Sequence, residues 1–549
     1  MQHRTKPAPA PHGLPIAGSY RLFCAIMASV ALLGGSARAI AAEPRAAVER
    51  PGLVVGILVE GLDEDILRLL DAHLSPGGFK RLMSEGAVAG DIDYGTPLDP
   101  VAAAAMIYTG TSPAVNGIPA ANVYQPSKHR SRPVLSDSSQ MGNFTADLLS
   151  PAAIHVSTLG DEVRIDGNGP TYVYALAADP SRAIIMAGHA GNGAYWIDDI
   201  NGRWASTTYY RDLPQSITLR NYNSPLDSRL DSVAWGPLFG TLQSYPDLTA
   251  ATRQNGFSYN FPRNSRDRFR SFKVSAKGNE EVTDMATDLL HYQMLGQHQG
   301  IDMLSLGYTV APYPYSLTPT PRAETLDAYI RLDRDIQKLM KAIDKRPGTD
   351  RTLIFVAGLP APASSRPDEE RWRLPSGEFS SRKARSLLNM YLMALHGNGE
   401  WVTGYHDRHF YLNHQLIKEQ KLDISDVRAE AAQFLTRMSG VSNAYTIDDV
   451  MAARVGADPA ALRRNTSVEH TGDIILEINP GWTAVDDLEG GPDHFSRLAS
   501  TANPLIIWGA GVPPARIDEP VDARRIAPTV ARLLRIRSPN AASLSPLRL

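Results

Sequence analysis

A chain of 549 residues is long enough for one large domain with insertions, or for two to three smaller ones. A hydrophobic content of 43% makes a sizeable core expected, and a formal net charge of −3 removes any electrostatic case for nucleic-acid binding. With 40 prolines and 43 glycines, many loops between elements are expected.

In chain order, Arg4, Lys6 and Arg21 come first, then an apolar stretch from Leu22 to Leu33, then Ser36-Ala-Arg-Ala39 and Ile40-Ala-Ala42. A positive flank, a short apolar core and small residues at alternate positions read as a secretory signal over residues 1–42, cleaved after Ala39 or Ala42. The apolar run is too short for a membrane anchor, which needs ~20 residues. No later segment is long and apolar enough to span once the signal is removed. A periplasmic or secreted location is therefore expected. The only cysteine, Cys24, lies inside the signal without small residues before it, so no lipoprotein anchor is expected. The mature chain, 43–549, is left without thiol chemistry, disulfides or cysteine metal sites.

After a short linker at 43–52, Leu53-Val-Val-Gly-Ile-Leu-Val59 is a continuous β-branched apolar run, the pattern of a strand buried on both faces. Asp63 to Leu70, Gly78 to Glu85 and Ala102 to Tyr108 read as helices. Thr171 to Leu176, Ala183 to Met186 and Asp302 to Leu306 read as strands. Glu324 to Asp344 carries Leu326, Ile330, Leu332, Ile336, Leu339, Met340 and Ile343 at helical spacing. Thr352 to Ala357 is a further buried strand, so 302–357 forms a βαβ unit. Residues 473–478 and 504–508 add strands. Residues 200–270 look like an insertion and 360–380 like an exposed loop. The order implies α/β architecture, a central mostly parallel sheet with helices on both sides and loop-rich insertions.

Several landmarks then fall in a recognisable order: Leu53-Val-Val-Gly-Ile-Leu-Val-Glu60, Gly77-Gly-Phe-Lys-Arg-Leu82, Ile107-Tyr-Thr-Gly-Thr-Ser-Pro113, Asn116-Gly-Ile118, Ala187-Gly-His-Ala190, Ala194-Tyr-Trp-Ile-Asp198, Leu326-Asp-Ala-Tyr-Ile-Arg-Leu-Asp333, Tyr411-Leu-Asn413 and Gly472 to Trp482. Together they resemble the bacterial threonine-nucleophile alkaline phosphatases, within the type I phosphodiesterase/nucleotide pyrophosphatase group. The resemblance covers nearly the whole mature chain and implies an alkaline-phosphatase-like three-layer α/β/α sandwich.

The resemblance also implies two zinc ions and a threonine nucleophile, because the reaction polarises phosphoryl oxygens and stabilises a leaving oxygen. At the positions where those groups are expected, this chain departs from the pattern. The first aspartate position holds Glu60, which retains a carboxylate. The nucleophile position is Pro100, followed by Val101-Ala-Ala-Ala-Ala105. The phosphate-contacting asparagine position is Ala121. The clamping lysine and arginine positions are Asp179 and Ser181, with Arg182 one place further on. The remaining metal-ligand positions are Gly307, Ala311, Gly358, Leu359 and Ala502. Of seven expected zinc-site positions, one carboxylate survives, whereas zinc sites take three or four protein ligands.

Other constellations are weaker. His406-Asp-Arg-His409 sits between strand-like segments, where alternation is expected to separate the two rings. His189 reads as a satisfied structural histidine, and Pro492-Asp-His494 as surface. Tyr209, Tyr210, Tyr222, Tyr245 and Tyr259 with Arg263, Arg266, Arg268 and Arg270 form either a solvated loop or a binder of glycan, peptide or phosphate. No Gly-x-Ser-x-Gly, HExxH or P-loop pattern occurs. The expected function is that of a secreted pseudoenzyme without nucleophile or cofactor, binding an envelope protein or small ligand. The alternatives are a metal-dependent phosphoric ester hydrolase with a rebuilt site, which requires zinc, or a structural role.

Overall fold

Strand β1 (Leu53–Glu60) is buried along its length, and its alternating side chains enter two different cores. Val55, Ile57 and Val59 face one; Val54 and Leu58 face the other. This is the physical meaning of the unbroken apolar run: a strand covered on both faces has no polar side to show. The computed structural model describes residues 50–549 except 167–168, 212, 319–320, 362–374, 376, 480 and 486–501. The signal at 1–42, most of the loop at 360–380, and Asp493 and His494 lie outside the described residues.

The strands following β1 are β2 (Ala87–Ala89), β3 (Gly142–Asn143), β4 (Val173–Ala177), β5 (Gly193–Ile197), β6 (Trp204–Thr207), β7 (Asp302–Thr309) and β8 (Thr352–Leu359). Next come β9 (Val402–His406), β10 (His409–Leu412), β11 (Val441–Thr446), β12 (Ile474–Ile478), β13 (Leu505–Gly509) and β14 (Ala515–Ile517). The central sheet runs β14-β2-β13-β8-β1-β7-β4-β5-β6-β3. Its middle, β8-β1-β7-β4-β5, is parallel. The antiparallel β13 joins β8 to β2.

Helices α1 (Pro100–Thr109), α2 (Pro180–Ala187) and α7 (Ile526–Leu534) cover one face; α3 (Ala276–Tyr292) and α4 (Arg322–Lys345) cover the other. α4 presents Leu326, Ile330, Leu332, Ile336, Leu339 and Ile343 to its core, each almost fully buried. Burial of each such side chain contributes roughly 1.5–3 kcal/mol before entropy is counted. The α/β/α sandwich expected from the sequence is the observed fold.

One sequence expectation is corrected and another is refined. Ala183 to Met186 is not a strand but the middle of α2. Asp179 caps that helix by accepting from Arg182 N at 2.9 Å, Pro180 starts it, and Gly188 at φ +70 ends it. Four consecutive apolar residues carry no period of their own, so the caps decide. Residues 474–478 do form a strand, but not in the central sheet. They pair in a second sheet of order β9-β10-β12-β11. That sheet packs with α5 (Ser381–His396) and α6 (Ile424–Leu435) around a third core containing Trp401, Phe410, Leu388 and Leu435.

The insertion at 200–270 is not a solvated loop throughout. Trp235 and Tyr245 are buried, and both donate to Asp327 on α4, at 2.7 and 2.6 Å. Gly377–Ser380, the described end of the expected loop at 360–380, forms a short strand paired with Trp482–Val485.

Candidate functional site

The carboxyl ends of parallel strands are where ligands collect in open α/β sheets. Here the ends of β1, β7 and β8 align in register, with Glu60 opposite Thr309 on one side and Leu359 on the other. One residue back, Val59 faces Tyr308 and Gly358; two back, Leu58 faces Gly307. Gly307 and Gly358 carry no side-chain donor, and their surroundings are tightly packed. A Cβ at Gly307 would lie 2.8 Å from Ala177 Cβ. One at Gly358 would lie 3.0 Å from Leu62 O and 3.1 Å from Asn503 Cβ. Asn503 bridges the rim, donating from Nδ2 to Leu62 O at 2.9 Å and Leu359 O at 3.3 Å. Beside it, Ala502 contributes only its carbonyl, which accepts from Glu64 N at 3.1 Å.

Helix α1 begins at the same end. Asp99 is its N-cap, accepting from Val101 N at 2.7 Å, and Pro100 occupies the first turn, where a missing N–H costs nothing. Val101 to Thr109 are all buried. The small side chains of Ala102 to Ala105 let a helix without a polar face pack in the core, as close approach demands. Burial pushes the Asp99 carboxyl up to about 6, with the negative charges of Asp407 and Glu60 adding to the rise.

The central feature is an ion-pair triad in which the arginine is buried and the two carboxylates are partly buried. Arg182, from the first turn of α2, points its guanidinium at Glu60, with Nη1 3.2 Å from Glu60 Oε2, and Nε pairs with Asp179. Nη1 also donates to Tyr308 O at 3.0 Å. Burial pushes the Glu60 carboxyl above its usual range; Arg182 opposes this and Asp179 adds to it. Burial acts to raise Asp179 as well, but Arg182 outweighs it and holds that carboxyl below its usual range. A positive charge thus stands where the strand ends converge, and it is a covalent part of the chain.

The second sheet comes up to this end of the molecule, with Asp407 within electrostatic reach of Asp99. The β9–β10 hairpin turns at Asp407 and Arg408, both at positive φ (41° and 66°), the conformation of a tight I′-type turn. His406 and His409 pair directly across it, so their rings share a face rather than being separated as expected. The alternation argument holds along a strand, and it fails across a two-residue turn. His406 Nε2 lies 3.2 Å from Asn122 O, next to Ala121. Burial pushes the His409 imidazole down to about 4. Burial also acts to raise Asp407, yet Arg408, His409 and His406 hold its carboxyl low. Among the described residues, no three His, Cys, Asp or Glu side chains form a group able to hold a metal ion.

Residues 54–500 match the family described as type I phosphodiesterase / nucleotide pyrophosphatase. The chain belongs to this family. It is 26% identical over 520 residues to alkaline phosphatase PhoV of Synechococcus elongatus, a match covering 90% of this chain and 92% of that protein. It is 28% identical over 525 residues to a calcium-transporting ATPase of Myroides odoratus, covering 91% and 95%. Alkaline phosphatase PafA of Elizabethkingia meningoseptica is 24% identical over 544 residues, covering 92% and 96%. The fold matches a crystal structure of wild-type PafA with a TM-score of 0.79, at 23% identity, over 91% of this chain and 99% of that one.

The landmarks that carry the phosphodiesterase-family resemblance turn out to be framework. Asp333 accepts from Ser75 N at 2.6 Å and Phe79 N at 2.8 Å, fixing the turn at Gly77-Gly78. Asn116 Nδ2 donates to Thr111 O at 3.0 Å, tying the end of α1 to the next turn. His189 engages Asp161 with Nδ1 and Ile154 O with Nε2, both at 3.0 Å, the satisfied state expected of a structural histidine.

Of the expected site positions, Glu60, Gly307, Gly358, Leu359 and Ala502 lie at the strand ends, with Pro100 starting α1. Ala311 N and Cα lie 2.9 Å from where a Cβ on Gly61 would stand, which places Ala311 there too. The backbone N–H of Ala121 reaches Asp99. Asp179 and Ser181 open α2, where Asp179 is consumed in capping and pairing. Sequence reading set Arg182 aside as one place off register and missed Asn503, Asp99 and Asp407 at the site. The one available signal was Asp179 three residues before Arg182, a spacing that brings two charges together at a helix start.

Proposed function

We propose that this protein is a non-catalytic member of the type I phosphodiesterase / nucleotide pyrophosphatase family, exported from the cytoplasm and acting by binding or assembly. The observation that carries this reading is the donor set at the strand ends. Zinc takes three or four carboxylate, imidazole or thiolate donors per site. Among the seven expected ligand positions only Glu60 bears one, and Arg182 already engages it. Pro100 has no hydroxyl with which to attack phosphorus. These residues do not fit a two-zinc pair, and no phosphoryl-transfer step is assigned to them. Arg182 supplies a fixed positive charge, but a guanidinium cannot lower the pKa of a bound water as a metal does. What this end of the sheet carries is a cluster of charged groups, Asp99, Arg182, Asp407 and Arg408, and in this reading they engage a small ligand or the side chain of an envelope protein.

A second reading is a metal-dependent phosphoric ester hydrolase with a rebuilt site, using zinc. It draws on the nearness of Asp407 and Glu60 to Asp99 at the same end of the molecule. One experiment separates the two: metal content of the purified protein, together with hydrolysis of p-nitrophenyl phosphate at alkaline pH. The non-catalytic reading expects no stoichiometric metal and no turnover above background. Near-stoichiometric zinc with metal-dependent turnover would sink it.

A further inference from the structure

Far along the chain from α1, four arginines fall within eight residues: Arg263-Asn-Ser-Arg-Asp-Arg-Phe-Arg270. They border a hollow of about 450 Å³ whose wall includes Arg266, Arg268, Phe269 and Asp227. The arginines are not equivalent. Arg263 forms a two-pronged pair with Asp231, and Arg270 pairs with Asp199 at 3.2 Å. Arg266 is exposed and has no ion pair or hydrogen bond among the described residues.

Arg268 is the unusual one. It is only 3% exposed. Its Nη2 donates to Asp227 O at 2.7 Å and to Asp231 Oδ1 at 2.9 Å. Its Nε and Nη1 make no hydrogen bond at all. Nη1 lies 3.3 Å from Asp227 Oδ1, close enough for an ion pair but without hydrogen-bond geometry. Buried donors left unmade are costly, more so when charged, so a fold tolerates them where something else can complete them. The Asp227 side chain is 45% exposed and tied to Nη1 only loosely. It is the group an incoming anion can displace.

We propose that this hollow is a binding site for a small oxyanion, the carboxylate, phosphate or sulfate group of a ligand, held by Arg268 and Arg266 after Asp227 swings out. Charge-assisted hydrogen bonds to a desolvated guanidinium are the strong class of such contacts. Phe269 offers an apolar wall for the body of the ligand. The hollow shares no lining residue with the strand-end positions, so the inference does not rest on the reading of those residues.

The test is calorimetric titration of the full mature protein with inorganic phosphate, sulfate and acetate at low ionic strength. A tetrahedral-anion preference points to phosphate or sulfate esters; an acetate preference points to carboxylates. In Arg266→Ala the affinity should fall about fivefold to tenfold, the loss of one charged contact. In Asp227→Asn it should rise, because the competing carboxylate is gone. Both changes are at the surface, and an unchanged melting temperature verifies folding. Opposite signs in the two variants are the result that a solvated loop would not produce. If none of the three anions binds saturably, or if either variant leaves the affinity unchanged, the proposal is overturned.

Discussion

Arg182 is the residue on which the strand ends depend. Its side chain is about 8% exposed and pairs with two partly buried carboxylates, Glu60 and Asp179, whose side chains are 20% and 29% exposed. Removing one partner of such a group is far more costly than removing the group together. Arg182→Met should lower stability by about 1–3 kcal/mol, less than for a fully buried pair because both carboxylates keep some water. The double variant Arg182→Met with Glu60→Gln should lose less than Arg182→Met alone, read from urea unfolding midpoints. Additive losses would show that the three groups are not coupled. Asp99 makes a different case. Its folded-state pKa, near 6, lies above the unfolded value near 3.8. The folded state therefore holds the proton more tightly, and stability falls as pH rises from about 4 to 6, then levels off. Asparagine keeps the capping oxygen and removes the charge. Asp99→Asn should raise stability by about 1–3 kcal/mol at pH 8, with the gain vanishing near pH 4. A gain that does not depend on pH would contradict burial as the cause.

At the scale of elements, the strand ends are tightly packed around their glycines. Ala177 of β4 stands 2.8 Å from the place a Cβ would take on Gly307 of β7. Returning a carboxylate there means pushing two adjacent parallel strands apart and burying a charge with no partner. Gly307→Asp should cost about 3 kcal/mol or more, seen as a lower denaturant midpoint or loss of soluble protein. A variant as stable as the parent would mean that the strands yield easily. The same scale explains two wrong expectations. Ala183 to Met186 has four apolar residues in a row because α2 is buried between β-sheet and helices, a setting in which helix and strand look alike in sequence. Asp179, Pro180 and Gly188 held the answer as start and stop signals. His406 and His409 were separated by strand alternation, yet the turn at Asp407-Arg408 returns them to one face.

At the scale of the molecule, three cores divide the work. Two lie on either side of the central sheet, and the third belongs to the second sheet with α5 and α6. The β9–β10 hairpin of that second sheet meets the segment after α1 through His406 and Asn122. Among the described residues, no helix is long and apolar enough to cross a membrane. If residues 1–42 act as a secretory signal, N-terminal sequencing of protein recovered from the native cell should begin at Ile40 or at Glu43. A mature chain that begins at Met1 would remove export from the proposed function.

The sequence by itself determined the fold class and the family, because both rest on local, ordered signals. Buried strands appear as unbroken apolar runs, α4 as a period of 3.6, and the framework residues Asp333, Asn116 and His189 as short motifs around turns. That Pro100, Gly307, Gly358 and Leu359 carry no side-chain donor is likewise read from the sequence alone. Only the tertiary structure decided what stands around them. Glu60 and Arg182 are 122 positions apart, and Asp99 and Asp407 are 308 apart. Such pairs form only when crossover connections bring separate strand and helix ends together, and no local pattern records which ends will meet.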